Sequence, residues 1–248
     1  VSGPPAGQVD RPDDAEVYAS LASRIAARAG DRPIIVGIGG SVAVGKSTVA
    51  AALQQLLADR WSVEIMPTDG FLLSNEVLAQ RGLIMRKGFP ESYDGQRLTA
   101  VLAAIKDGQP DIDVPVYDHR IYDVVTDRLQ TLGRPDVVIV EGVNALAEPS
   151  AAFLDLAIYV DADETDIRAW FVARFQQLAD AAASDPQSFF ARWSELPTDQ
   201  VAVIAETVWD QINGVNLRLH IEPTRSRADV VLVKGRDHRI TEILTRDG

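Results

Sequence analysis

PIIVGIGGSVAVGKSTVAAALQQLLADR, residues 33–60, is the stretch that decides the fold. Its middle, GSVAVGKST from Gly40 to Thr48, satisfies G-x-x-x-x-G-K-[ST]. A β-branched run, PIIVGI (33–38), precedes the motif, and a run with helical spacing, STVAAALQQLLADR, follows it. Strand, glycine-rich turn and helix form the context in which this motif cradles a polyphosphate. The glycines let the backbone of Gly40, Ser41, Val42, Ala43, Val44 and Gly45 bend so that its N–H groups face phosphate oxygens. The helix N-terminus at Lys46, Ser47 and Thr48 adds positive potential. Lys46 is placed to reach the β- and γ-phosphates, and the Ser47 hydroxyl to hold Mg²⁺. A chance glycine-rich turn is the competing reading, and eight matched positions in this context weigh against it. The loop alone does not say whether phosphate is moved, or onto what.

Composition narrows the class. The chain has 248 residues, 46% of them hydrophobic, enough for a substantial core. No apolar run approaches the ~20 residues of a membrane-spanning helix. The start, VSGPPAGQVDRPDD, lacks the basic-then-apolar pattern of a signal peptide, so a cytoplasmic protein is expected. There is no cysteine, which excludes disulfides and thiolate metal sites. A formal net charge of −12 argues against a nucleic-acid or anionic-membrane partner. It does not argue against a nucleotide, because screening beyond ~8 Å leaves a phosphate site governed by its nearest groups. A small-molecule substrate is the expected partner, and a homodimer is left open.

Residues 1–14 read as a loose arm, and 15–29 as a helix ending at Gly30. Short apolar runs follow at 33–38, 63–68, 136–142, 156–162 and 229–235, mostly separated by helical patterns. Near-continuous apolar strands alternating with helices predict a parallel sheet covered on both faces. Residues 82–96 and 109–135 read as long irregular loops of the kind that carry function. Residues 15–248 are expected to form a single domain.

Several polar residues stand where such a sheet would bring them to the loop. Asp69, in PTDGF, follows the second predicted strand, and strand ends line the ligand crevice of parallel sheets. A carboxylate there can accept a substrate hydroxyl's hydrogen bond and then its proton; a plain turn Asp before Gly is the alternative. Glu141 ends IVEG and is placed to orient Mg²⁺ directly or through water, or else to cap a helix. VPVYDHRIYD (114–123) gathers Tyr117 and His119 in one loop, either to hold a polar substrate or to pin the loop by aromatic packing. The N-K-x-D guanine-reading segment of GTPases is absent. A small-molecule kinase needs few parts: a loop for ATP, a carboxylate near the acceptor hydroxyl, and polar residues to hold the acceptor.

GSVAVGKST, TDGF, KGFPESYD, PVYDHRIYD, AIYVDA, DPQSFF and PTRSRAD together resemble the bacterial type I pantothenate kinases, within the uridine kinase and phosphoribulokinase group. They keep the family's order from about residue 33 onward, and KGFPESYD with PVYDHRIYD is far more specific than the phosphate loop. The resemblance implies an α/β fold, a P-loop NTPase-type three-layer sandwich with a mostly parallel sheet and helices on both faces. It implies ATP and Mg²⁺ as cofactors, with Lys46 and Ser47 on ATP and Ser47 on Mg²⁺. It makes Asp69 the catalytic carboxylate. Tyr117, His119 and Asn213 become pantothenate ligands, with Lys87 close by. Arg174 reaches the ATP phosphates, and Lys234 and His238 lie near the adenine.

The departures fall on the acceptor side. Phe171 stands where the family has a tyrosine whose hydroxyl contacts pantothenate. Leu178 and Ala183 replace aromatic residues of a lid, Ala51 replaces an arginine tied to feedback inhibition by coenzyme A, and His220 and Glu222 are atypical. The family's longer N-terminal helical region is mostly missing. The expectation is therefore ATP-dependent phosphorylation of a small-molecule hydroxyl, pantothenate first. A sister kinase acting on a nucleoside or small polyol, or a non-catalytic nucleotide-binding protein, are the alternatives.

Overall fold

The computed structural model describes residues 11–246. Among these, eight strands form: β1 (Ile34–Gly40), β2 (Val63–Pro67), β3 (Ile112–Asp118), β4 (Asp123–Leu132), β5 (Val137–Glu141), β6 (Leu156–Ala162), β7 (Val230–Lys234) and β8 (Ile240–Thr245). Six make one sheet in the order β2-β5-β1-β6-β7-β8. The first five of these run parallel, and only β8 is antiparallel, to β7. The helices are α1 (Asp14–Ala26), α2 (Lys46–Leu57), α3 (Asn75–Gln80), α4 (Gly95–Lys106), α5 (Glu164–Ala181) and α6 (Thr198–Val208). Beyond α6 the chain winds on through two π turns, Trp209–Asn213 and Leu217–Ile221.

Every residue of β1 is buried, and alternate residues serve opposite layers. Val36 and Ile38 pack with Val17, Leu21 and Ile25 of α1 and Val49, Leu53 and Leu57 of α2. Ile35, Val138 and Val140 pack with Leu98, Leu102 and Ile105 of α4. Burying each such side chain contributes roughly 1.5–3 kcal/mol, which is what closes the three-layer α/β sandwich. A third, aromatic cluster joins α5 to α6 through Phe175, Phe190 and Ala205.

Two readings are corrected. Residues 109–135 are not irregular: β3 and β4 form an antiparallel hairpin whose register shifts between Pro115 and Val116. It is anchored by Ile112, Val114 and Leu132 in the second core. The first helix begins at Asp14, inside the expected arm, because Asp13 accepts a hydrogen bond from the Ala15 N–H at 3.0 Å as its N-cap. It ends at Ala26, short of Gly30. Arg11 pairs with Asp237 at 3.0 Å, and the rest of the arm, residues 1–10, lies outside the described residues.

The hairpin touches the sheet's business edge at one tight point. A side chain on Gly70 would run into the Pro115 carbonyl oxygen of β3. Gly70→Ala is therefore expected to destabilise by about 1–3 kcal/mol, the usual range for overpacking. The measurement is a lower urea midpoint at unchanged m-value. A wild-type midpoint would mean the hairpin is free to move away.

Candidate active site

Parallel pairing sets Ile38 of β1 and Pro67 of β2 on either side of Glu141 of β5. The phosphate loop, the turn bearing Asp69 and Glu141 itself thus leave the sheet along one edge. The loop's path depends on glycine twice. Gly40 has φ 137°, and a Cβ there would strike the Val160 carbonyl oxygen on β6. Gly45 caps α2 in the left-handed region at φ 90°.

The N-terminus of α2 has no side-chain cap and no acidic residue in its first turn. By contrast α1, α4 and α5 are capped by Asp13, Asp94 and Asp163. The free N–H groups of α2 are thus left for an anion. Lys46 folds back, its Nζ donating to the Ser41 carbonyl at 2.7 Å. Burial lowers its pKa, opposed by Glu141 and Asp69 and assisted by Arg174, so these four charges share one space. The Ser47 hydroxyl donates to Glu141 Oε1 at 3.2 Å. A side chain on Gly45 would meet Lys234 Nζ at 2.6 Å. Lys234 is only 6% exposed and makes no ion pair among the described residues, and burial lowers its pKa. The structure places this ammonium against the phosphate loop.

Asp69 sits in the one-turn 3₁₀ segment Thr68–Phe71 that follows β2 directly. Thr68 is fully buried, and Gly142, immediately after Glu141, packs against its hydroxyl too closely for any side chain. The Asp69 turn and the end of β5 are locked together by that contact. Lys87 lies against the β3–β4 hairpin. Its Nζ donates to Asn75 Oδ1 and to the Tyr122 carbonyl, both at 2.6 Å, and lies 4.5 Å from the Tyr122 ring centre and 5.1 Å from that of Tyr117. Burial lowers its pKa to about 8, against the pull of Asp123 and Asp69. Burial, with Tyr122 and Asp69, pushes the Tyr117 phenol well above its ordinary range, so it is a neutral donor. Tyr117 and His119 meet edge to face at 5.0 Å.

Phe171, half-buried on α5, packs at 5.8 Å from Trp209, the buried residue that opens the π turn ending in Asn213. Asn213 owes its place to that widened helix, a feature often found at functional sites. Arg174 is exposed on α5. His238, at φ 64°, stacks on Trp170 at 3.9 Å, and Trp170 Nε1 donates to the Arg236 carbonyl at 3.2 Å.

Sequence reasoning passed over three groups. Trp170 is the partner of His238. Asn216, buried in the helix between the π turns, donates to the Gly88 carbonyl at 2.8 Å and ties that helix to the Lys87 loop. Arg120, beside His119, grips Asp185 through two bonds of 2.6 and 2.8 Å and Gln187 through one of 2.9 Å. The only signal for these was their nearness to residues already singled out.

Comparison with known proteins agrees with this geometry. The model of the phosphoribulokinase/uridine kinase family matches residues 35–174, from β1 to Arg174. A pantothenate kinase from Sorangium cellulosum (strain So ce56) is 50% identical over 228 residues, covering 88% of this chain and 74% of that protein. One from Shouchella clausii (strain KSM-K16) is 47% identical over 228 residues, covering 86% and 72%. Among solved structures, D-glycerate 3-kinase from Cryptococcus neoformans var. grubii matches with a TM-score of 0.64 over 94% of this chain and 97% of its own, at 15% identity a likeness of fold alone. The chain belongs to the phosphoribulokinase/uridine kinase family and, within it, to the pantothenate kinases.

Proposed function

We infer that this protein transfers the γ-phosphoryl group of ATP to the terminal hydroxyl of pantothenate, giving 4′-phosphopantothenate, the first step of coenzyme A biosynthesis. The observation that carries the reading is the identity to pantothenate kinases across nearly nine-tenths of the chain, which spans the phosphate loop, Asp69 and the acceptor loops together. Residues 15–248 act as one kinase domain in the cytoplasm.

Backbone N–H groups of residues 40–48 and the Lys46 ammonium bind the β- and γ-phosphates, with Arg174 and Lys234 adding positive charge. Ser47 and Glu141 fit a magnesium site: their oxygens are 3.2 Å apart at the loop. No group of three His, Asp or Glu residues able to hold an ion exists among the described residues. Mg²⁺ takes one or two protein oxygens and completes its shell with phosphate and water. When bound, Mg²⁺ supplies charge neutralisation on the transferring phosphate. Tyr117, His119, Asn213 and Lys87 orient the acceptor, while Phe171 gives it an apolar wall. Asp69 accepts the hydroxyl proton as the hydroxyl oxygen bonds to the γ-phosphorus and the bridge to ADP breaks.

Coupled ADP release should depend on pantothenate, with phosphopantothenate identified by mass spectrometry; equal release with a nucleoside or polyol, and none with pantothenate, overturns the reading. Asp69→Asn should lose about 10²–10⁴-fold in kcat while still binding nucleotide. Loss of nucleotide binding with transfer intact would remove Asp69 from its role.

Phe171→Tyr should lower KM for pantothenate by up to about tenfold, leaving KM for ATP unchanged, because it supplies one hydrogen bond to the acceptor. A raised pantothenate KM would show that the pocket is shaped around the missing hydroxyl.

Lys87 sets a pH dependence. Its ammonium loses a proton at about 8, so KM for pantothenate should rise as pH passes that value, and Lys87→Met should abolish the rise. The linkage sign is opposite for folding. The burial penalty is fully present below about 8 and is relieved as pH climbs toward the ordinary lysine range. A pH-flat pantothenate KM in the wild type would exclude Lys87 from acceptor binding.

A further inference from the structure

Tyr93, near the end of KGFPESYD, has no part in the machinery described above. Its backbone pairs with Leu72 in a single antiparallel bridge. On either side, the Leu73 N–H donates to the Ser92 carbonyl and the Asp94 N–H to the Phe71 carbonyl, both at 2.8 Å. Tyr93 is thereby fixed alongside the turn that carries Asp69. Its ring packs on the core cluster containing Met66, Phe71 and Leu98. Its hydroxyl is fully buried and has no hydrogen-bond partner among the described residues.

Burial, with smaller contributions from Asp69, Tyr122 and Glu141, pushes the phenol well above its ordinary value, so it keeps its proton. A buried hydroxyl with no partner burdens the fold, and phenylalanine would fill the same space without that burden. Asp69 and Glu141 end neighbouring strands, with Pro67 and Glu141 in register. In the kinase reading an acceptor oxygen comes to Asp69 and a nucleotide-bound metal to Glu141, so both approach these strand ends during transfer.

We propose that Tyr93 is a substrate-binding residue whose hydroxyl donates a hydrogen bond to a ligand oxygen lodged between Asp69 and Glu141. That oxygen belongs either to the acceptor hydroxyl or to the magnesium–nucleotide. The proposal deepens the kinase reading above and rests on it.

Tyr93→Phe tests it, because the ring and its packing stay. Thermal unfolding of the free variant should occur at or above the wild-type temperature. Shifts in unfolding temperature are then compared with Mg²⁺ and the non-hydrolysable ATP analogue AMP-PNP, and separately with pantothenate. If the oxygen is the nucleotide's, the AMP-PNP shift shrinks. If it is the acceptor's, the pantothenate shift shrinks and its KM rises by about tenfold at constant KM for ATP, the scale of one hydrogen bond. Unchanged shifts with both ligands, together with unchanged kcat and KM, overturn the proposal. So does a lower unfolding temperature of the free variant with both shifts retained, since the hydroxyl would then have an internal partner. A wild type that releases no ADP with pantothenate defeats the acceptor reading by itself. In that case a smaller AMP-PNP shift in Tyr93→Phe still supports Tyr93, and an equal one overturns it.

Discussion

Parallel hydrogen bonding of β1 and β2 to the same neighbour, β5, is the constraint on which the site depends. It sets Ile38, Glu141 and Pro67 in one row, so the chain leaves all three strands at the same edge. A one-residue slip of β2 would turn its side chains to the other face, sending Met66 out of the second core. The register is therefore enforced by burial, and the positions of Asp69 and Glu141 follow from it. The contact between Thr68 and Gly142 then fixes the two exits against each other.

Around that edge the protein holds positive charge in poor solvation. Lys46 and Lys234 both have pKa values lowered by burial, and the N-terminus of α2 is left without a cap. Each choice costs stability in the free chain. Each is offset when a polyphosphate arrives, because the anion supplies the missing partner in a low-dielectric place. An overall charge of −12 does not argue against this, since charges beyond ~8 Å are largely screened.

How much of this was legible follows from how local the signal was. The phosphate loop was readable because one contiguous segment encodes strand, turn and helix start. The five parallel strands were readable because burial on both faces makes them continuous apolar runs. The hairpin was not. Pro115 interrupts β3, β4 is mostly polar and exposed, and the turn uses Tyr122 at φ 56° where a glycine signal would be expected. β8 was missed because it is a mostly exposed edge strand with no continuous apolar run. The π turns, and with them the setting of Asn213, have no sequence period of their own. Phe171 and Asn213 could be named as candidate site residues only through the family resemblance, because no spacing connects them, whereas Tyr117 also stood out in its aromatic-rich loop.

The two halves of the site are built differently, and that bears on what each can do. The phosphate half hangs from a buried sheet with every strand paired. The other half is joined from separate segments by side-chain contacts, among them Lys87 to the Tyr122 carbonyl, Asn216 to the Gly88 carbonyl, Tyr122 stacked on Phe189 at 4.5 Å, and Arg120 on Asp185. The exposed ion pair holds weakly, whereas Phe190 anchors residues 185–190 in the aromatic cluster with Phe175 and Ala205. Phe171 and Leu178 on α5, and Ala183 just beyond it, which the family resemblance marks as departures, lie outside the row of Ile38, Glu141 and Pro67.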